Sequence, residues 1–576
     1  MTTKNYKDAL TSIERIKQKS QEMQFAYQKI AYYRAVELFN DKSLESAILT
    51  FDKALLYPKD KNLNALSHYW QGEAKYRLGK YQDAIADYKT FLFEPGAALQ
   101  PVFKTVNYNI GYAYFKLNDY NNSIVWFRKY VGTPEQDLED SKKINDAYTR
   151  IGDAYFVSKD YGNAIEYYNQ ASKTSNLNND YVLYQKASAM GVLTKFGDKI
   201  ETLQTLINQY PKSPYTDDAK YELANAYLVQ NENEKALGIL SKMVDDYPNS
   251  SYVKKSLLKM ALIHYNNDQN KLALELNKRI IADFPKTAEA REALSNMRTI
   301  YVETNNIAEF EDYLKTQSIS ISASALDSAM YESAELRYVK GDCDNASNDF
   351  AAYLSKYPNA YFKLNATFYK AECDFKKGFF VEALKGYEYV GEQTKSNFSE
   401  KALIKSGFIQ YKQENYSGAL QAYQKLEEMA EVPANIMEAR TGQMRCNYKL
   451  SRYDAAIVAA KKLIVMEKAS NELQHESHLI MAKSYLAVGN DSLALDEFNV
   501  TSKLTKSELG AEAKYNVAFI QYKKGNYSAS EKTIDEIIKQ VPSYDFWIAK
   551  SFILWADIYV ALKDNFQAKA TLQSII

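Results

Sequence analysis

The chain has 576 residues, with 72 basic and 72 acidic side chains and a formal net charge of zero. A dedicated nucleic-acid or anionic-membrane binder carries a basic excess, so balanced charge argues against both. Hydrophobic residues make up 46% of the chain against only 20 Gly and 11 Pro, which leaves ample core and little linker or low-complexity sequence.

The first predicted element is a helix over Asn5–Ile16, whose Tyr6 and Ala9 match Tyr161 and Ala164 of a unit that recurs along the chain. That unit is most complete at Ala147–Ala171, where Gly152, Tyr155, Tyr161, Ala164, Tyr168 and Ala171 follow at offsets of 3, 6, 3, 4 and 3. Small, aromatic, aromatic, small, aromatic, small in that order is the signature of a stacked helix–turn–helix hairpin. Small residues are needed because helix axes approach to about 8–10 Å only where the contact side chains allow it. The small position of the second helix recurs at Ala9, Ala47, Ala84, Ser123, Ala164, Ile200, Ala236, Ala273, Phe310, Ala346, Ala383, Ala419, Ala456, Ala494, Ser530 and Ala568, mostly about 36–39 residues apart. Ile200 and Phe310 break the small-residue rule, and their repeats are expected to pack less tightly or to be displaced. The last predicted pair has its first helix around Trp555–Tyr559 and a second begun by Phe566 and ending on Ile575 and Ile576. Neither end reads as the polar cap that closes an array, the pattern expected of an excerpt from a longer one.

This pattern resembles the tetratricopeptide repeat (TPR) over nearly the whole chain. The resemblance implies an all-α fold, a right-handed α-solenoid of about fifteen stacked hairpins. The positions that carry its close contacts are Gly72, Ala84, Gly111, Gly152, Ala164, Ala224, Ala236, Ala371, Ala383, Gly407 and Ala419. Four stretches are expected: 1–22, the second helix of a partial repeat; 23–209, an array with longer loops; 210–320, an array with a distinctive junction and an irregular repeat near 294–320; and 321–576, the C-terminal array. The junction reads Tyr210-Pro211-Lys212-Ser213, Tyr247-Pro248-Asn249-Ser250, Phe284-Pro285-Lys286-Thr287 and Tyr357-Pro358-Asn359-Ala360. Proline cannot continue the helix before it, and the Ser or Thr is expected to accept the free N–H groups that open the next helix. Such junctions are similar to those of bacterial cell-envelope TPR proteins of the Tol–Pal-associated and outer-membrane-assembly types.

Chemistry-bearing motifs are sparse. His475 and His478 are three apart, whereas the HExxH zinc helix needs four; a solvated polar face is expected there, and His264 is expected in the core. Cys343, Cys373 and Cys446 have no metal spacing, and a Cys343–Cys373 disulfide is possible only if adjacent repeats bring the two together. No glycine-rich phosphate loop and no GxSxG occurs, and about one residue in eight is acidic, so close carboxylate pairs arise by chance. No catalytic residue, metal site or cofactor is expected, and no enzyme. No run of about 18 apolar residues exists to span a membrane, and the N-terminal stretch lacks a signal peptide's apolar region.

Aromatics in the first helices are the one enrichment. Tyr32, Tyr69, Tyr108, Tyr221, Tyr331, Phe368 and Tyr515 lie in one row; Phe39, Tyr76, Phe115, Tyr265, Tyr338, Phe375, Tyr411, Tyr448 and Tyr522 lie in a second row seven residues further along, on the same helix face. In TPR proteins this face lines the concave side, so the resemblance implies a tyrosine-lined groove; packing between repeats is the alternative role. Asn225, Arg445 and Lys483 occupy positions comparable to a terminal-carboxylate clamp, but in separated repeats. The expected function is a non-catalytic scaffold of a bacterial envelope complex, periplasmic or outer-membrane-associated, binding other proteins or peptides. The alternatives are a glycan, peptidoglycan or peptide groove, the regulatory array of a larger protein, and a cytoplasmic location. No nucleic-acid partner is expected, and oligomeric state is open.

Overall fold

The computed structural model describes residues 5–134, 138–174 and 179–574. Ile575 and Ile576, expected to face inward, lie outside them. Among the described residues there are 31 α-helices, one short 3-10 turn at Ala97–Leu99 and no strand. After a lone helix at Tyr6–Glu14 the helices pair into fifteen hairpins, from Gln21–Asn40 with Leu44–Leu55 to Asp545–Ala561 with Asn565–Gln573. The chain forms two units, one ending at Asn296 and one starting at Met297. Each is an α-solenoid in which a hairpin packs on its sequence neighbours.

All fifteen turns inside hairpins are three residues long, while the connections between hairpins run from 3 to 9. The short turn works because its middle residue takes a positive φ. Gly79, at φ 77°, gives its N–H to the Tyr76 carbonyl, and Lys80 gives its own to Lys75. Those two bonds satisfy carbonyls that the helix end leaves unpaired.

The close-contact positions meet as paired sites sixteen residues apart. A Cβ added to Gly72 would lie 2.7 Å from the Tyr88 ring, one on Gly111 2.8 Å from Phe127, one on Gly152 2.6 Å from Tyr168, and one on Gly407 2.7 Å from Tyr423. Where the first helix carries Ala371 instead, the room is made from the other side: a Cβ on Gly386 would meet the Ala371 Cβ at 2.8 Å. Ala84, Ala164, Ala224, Ala236, Ala383 and Ala419 are fully buried. Ser123 and Ser530, at the same second-helix position, each donate 2.8 Å hydrogen bonds to the Gly111 and Ala518 carbonyls across the hairpin. Replacing Ala164 by Leu overpacks this contact and is expected to cost about 1–3 kcal/mol; a urea midpoint equal to that of the parent chain would contradict the packing.

The exceptions separate. Ile200 is buried within a regular 14-residue helix, Phe196–Gln209. Phe310 lies in a shortened 10-residue helix, Ile307–Thr316, buried against Tyr301 at 5.5 Å between ring centroids.

At the junctions, Tyr210, Tyr247, Phe284 and Tyr357 end their helices with φ between −125° and −130°, as a residue before proline must. The serines differ from expectation. Ser213 and Ser250 accept the N–H of Tyr215 and Tyr252, ahead of the helices Thr216–Val229 and Val253–Asn266, so they order the turn and do not cap the helix. Each also donates to a carboxylate 33 residues earlier, Asp180 at 2.6 Å and Asp217 at 2.8 Å, tying one hairpin to the previous one. Thr287 does cap, accepting from Ala290 at 3.1 Å. His264 is half-buried beside its turn, with Nδ1 2.6 Å from Gln269 Oε1, and is not a core residue.

Candidate functional site

The two aromatic rows have different surroundings. In the first row, Tyr32, Tyr69 and Tyr331 are buried in the core, and Tyr108 and Tyr221 are half-buried. Tyr221 stacks on Tyr252 at 4.5 Å and Tyr331 on Phe362 at 4.4 Å, each partner 31 residues on, where the next hairpin opens. In the second row Phe39 is buried, and Tyr76, Phe115, Tyr265, Tyr338, Phe375, Tyr411, Tyr448 and Tyr522 are half-buried. Six of them meet an aromatic ring five residues later, across the three-residue turn: Tyr76 with Tyr81, Phe115 with Tyr120, Phe375 with Phe380, Tyr411 with Tyr416, Tyr448 with Tyr453 and Tyr522 with Tyr527, at 5.3–6.0 Å. Tyr338 packs at 4.7 Å on Tyr369 of the next hairpin.

Two of these rings share a cleft in the first unit. A cavity of about 250 Å³ is lined by Glu73, Tyr76, Tyr88, Tyr108, Asn109 and Tyr112. The helix Lys61–Arg77 supplies Glu73 and Tyr76, Tyr81–Phe93 supplies Tyr88, and Phe103–Lys116 supplies the rest. Glu73 accepts from the Tyr88 hydroxyl at 2.7 Å and from Asn109 Nδ2 at 2.5 Å. Burial raises the Glu73 carboxyl above its ordinary range, against the opposing hydrogen bond from Tyr88.

The polar face continues into the next hairpin. Asp146 accepts from Tyr108 at 2.8 Å and from Tyr112; Arg150 reaches Asp146 at 3.3 Å and Asp153 at 2.6 Å; Asp153 also accepts from Tyr168 at 2.9 Å and Tyr181 at 3.1 Å. Burial holds the Asp153 carboxyl above its usual range in spite of Arg150. Glu73–Tyr88, Asp153–Tyr168 and Glu372–Tyr387 are the same contact, an acid and a tyrosine fifteen residues apart. Sequence reading treats such acids as chance neighbours; the recurring offset of fifteen is the signal that finds them.

In the second unit a ladder joins successive first helices. Arg298 meets Glu332 at 2.8 Å, Lys401 meets Glu372 at 2.6 Å, Arg445 grips Glu476 through two 2.7 Å bonds, and Lys483 meets Glu512 at 2.7 Å. Arg445 and Lys483 are therefore engaged by carboxylates of the chain itself, as Asn225 is by Glu222 at 3.2 Å. This unit also has a cavity of about 390 Å³ lined by Phe380, Phe408, Ile409, Lys412 and Gln413, with Phe380 and Phe408 exposed. His478 is held 2.7 Å from Glu497, and no metal-ligand cluster occurs among the described residues.

Two tetratricopeptide-repeat family models match, at residues 69–137 and 146–175, the hairpins that build the cleft and its extension. The chain is a TPR array. A third model, described as outer membrane lipoprotein, matches 176–311 and covers three of the four aromatic–proline junctions. No curated protein matches the chain. Solved structures similar to this TPR array include Naa15/Naa10 bound to HypK, at 12% identity over 95% of this chain and 94% of that one, with a TM-score of 0.37. The C-terminal part of a TPR protein from Cytophaga hutchinsonii is 18% identical over 46% of this chain and 99% of that one, with a TM-score of 0.37. A TPR protein from Parabacteroides merdae is 17% identical over 46% and 98%, with a TM-score of 0.24. No described helix of the TPR array is long and apolar enough to cross a membrane.

Proposed function

We propose that this TPR array is a non-catalytic scaffold of a bacterial envelope complex, holding an extended polypeptide across the cleft formed by Tyr76, Tyr108, Asn109 and Tyr112. The observation that carries the binding part is the cleft itself: half-buried rings beside an amide and phenol hydroxyls, at the meeting of two hairpins. Stiff aromatic rings with polar tips suit peptide recognition, because little side-chain entropy is lost on contact. Asn109 Oδ1 can accept from a peptide N–H and the Tyr76 hydroxyl can donate to a peptide carbonyl, while the Tyr108 and Tyr112 hydroxyls are held by Asp146 and present their rings. Glu73 is already engaged by Tyr88 and Asn109 and holds the amide in place. The match of residues 176–311 to an outer-membrane lipoprotein family supports the envelope part, and periplasmic or outer-membrane-associated placement goes with it.

Peptides selected from a random linear library on the parent chain test this. Tyr76→Ala and Asn109→Ala are expected to weaken the selected peptides about tenfold or more, the loss of one interface hot spot, with helix content unchanged. Equal affinity for parent and variants, or capture of muropeptides in place of peptides, would overturn the peptide reading. Expression of the full-length gene and recovery of its product only from the cytoplasmic fraction would overturn the envelope part.

A further inference from the structure

Cys343 opens the helix Cys343–Lys356, and Cys373 lies inside Lys363–Lys376, the first helix of the following hairpin. Both thiols are free, and their sulfurs are 2.6 Å apart. Cys373 shares a buried cluster with Ala346 and Phe350, and Cys343 and Tyr338 pack against it. The third thiol, Cys446, is buried in a separate cluster with Leu420 and Leu426. We propose that Cys343 and Cys373 form a redox-dependent disulfide that staples two successive hairpins.

A bonded pair of sulfurs sits about 2.0 Å apart, so closing the bond asks for side-chain shifts of about half an ångström and leaves both helices where they are. The two thiols have unequal access: Cys343 is half-buried and Cys373 fully buried. Burial, reinforced by the neighbouring Cys343 sulfur, pushes the Cys373 thiol well above its ordinary range. Exchange therefore starts at Cys343. Its thiolate attacks one sulfur of a small disulfide such as oxidised glutathione, forming a mixed disulfide and expelling one glutathione thiolate. Cys373 then attacks the Cys343 sulfur, gives up its proton and releases the second glutathione. The protein loses two electrons and two protons, and one glutathione disulfide becomes two glutathione thiols. The product closes a covalent loop across an inter-hairpin contact. In an array whose repeats touch only their neighbours, such a loop stops the two hairpins from opening independently.

The test is oxidation of the intact chain with glutathione disulfide. The titratable thiols of the unfolded product are expected to fall from three to one. Mass spectrometry is expected to find the Cys343 and Cys373 peptides joined and lighter by two hydrogens than their sum. Amide exchange in 343–376 is expected to slow, and a thiol reductant to reverse all three. In Cys446→Ser the fall is from two to zero, and in Cys343→Ser no joined peptide forms. A thiol count that stays at three, a glutathione adduct that persists on Cys343, or a dimer linked between chains would overturn the proposal. The decisive readouts come from the unmodified protein, so a variant that misfolds does not obscure them.

Discussion

Tyr168→Ala is expected to destabilise its hairpin by about 3–5 kcal/mol, the range for removing a large buried aromatic side chain. The ring is fully buried and lies where a Gly152 side chain would be, so the deletion opens a cavity that neither helix can close by moving nearer. Its hydroxyl also serves Asp153, which holds Tyr181 and Arg150 in the same network. Tyr168→Phe separates the two contributions: the ring stays, and Asp153 loses one donor at about 1–3 kcal/mol. Gly152→Ala alone forces the ring aside, yet in the Tyr168→Ala background the added methyl enters free space. The two changes should therefore be strongly non-additive. Amide exchange over 138–174 reads this locally, because an array opens by segments. A loss under about 1 kcal/mol for Tyr168→Ala, or additive effects in the pair, would contradict the ring-over-glycine packing.

Alkaline pH should produce a larger loss, summed over many sites. The chain has 49 tyrosines. Burial pushes Tyr32 up to about 12, and Tyr88, Tyr108, Tyr168 and Tyr387 higher still, the last four with a neighbouring carboxylate adding to the shift. In the unfolded chain a phenol ionises near 10. Between pH 10 and 12 the native state therefore binds more protons than the unfolded one. The tyrosine contribution is fully present below pH 10 and is lost as pH rises through the native values. Each proton retained by the fold adds a slope of about 1.4 kcal/mol per pH unit, so several buried phenols together make the fall steep. Urea midpoints taken from pH 8 to 12 should decline sharply above 10, with phenolate absorbance and helix loss rising together. Phenols that ionise at pH 10 while the helix signal holds would show that these rings are not locked in the core.

Much of the architecture was legible because one physical demand repeats. Two helices approach most closely over a small residue, so Gly152 and Ala164 mark the contact in sequence as they do in space. The proline junctions were legible for a similar local reason, since Pro211 and Pro248 terminate a helix without help from elsewhere. The candidate site was less so. Tyr32 and Tyr76 are the same residue type on the same face, yet Tyr32 is buried against Phe51 and Tyr76 sits half-buried beside Tyr81. The role of Ser213 depended on Asp180, 33 residues away, and that of Glu73 on Tyr88 and Asn109. Pairings of that kind carry no single-position signature. Phe310 shows the limit most clearly: its size marks the position as unlike the others, but only the fold places the ring against Tyr301.

The constant three-residue turn has a consequence for how such a chain can be edited. One residue added inside a hairpin displaces the positive-φ middle position and the two backbone bonds that close the turn, so the second helix can no longer meet the first in the same register. The same residue added between hairpins meets connections that already vary from 3 to 9. Epitope tags, cleavage sites and whole inserted modules therefore belong at the seams between hairpins, and evolution's own gains and losses of length should be found there as well.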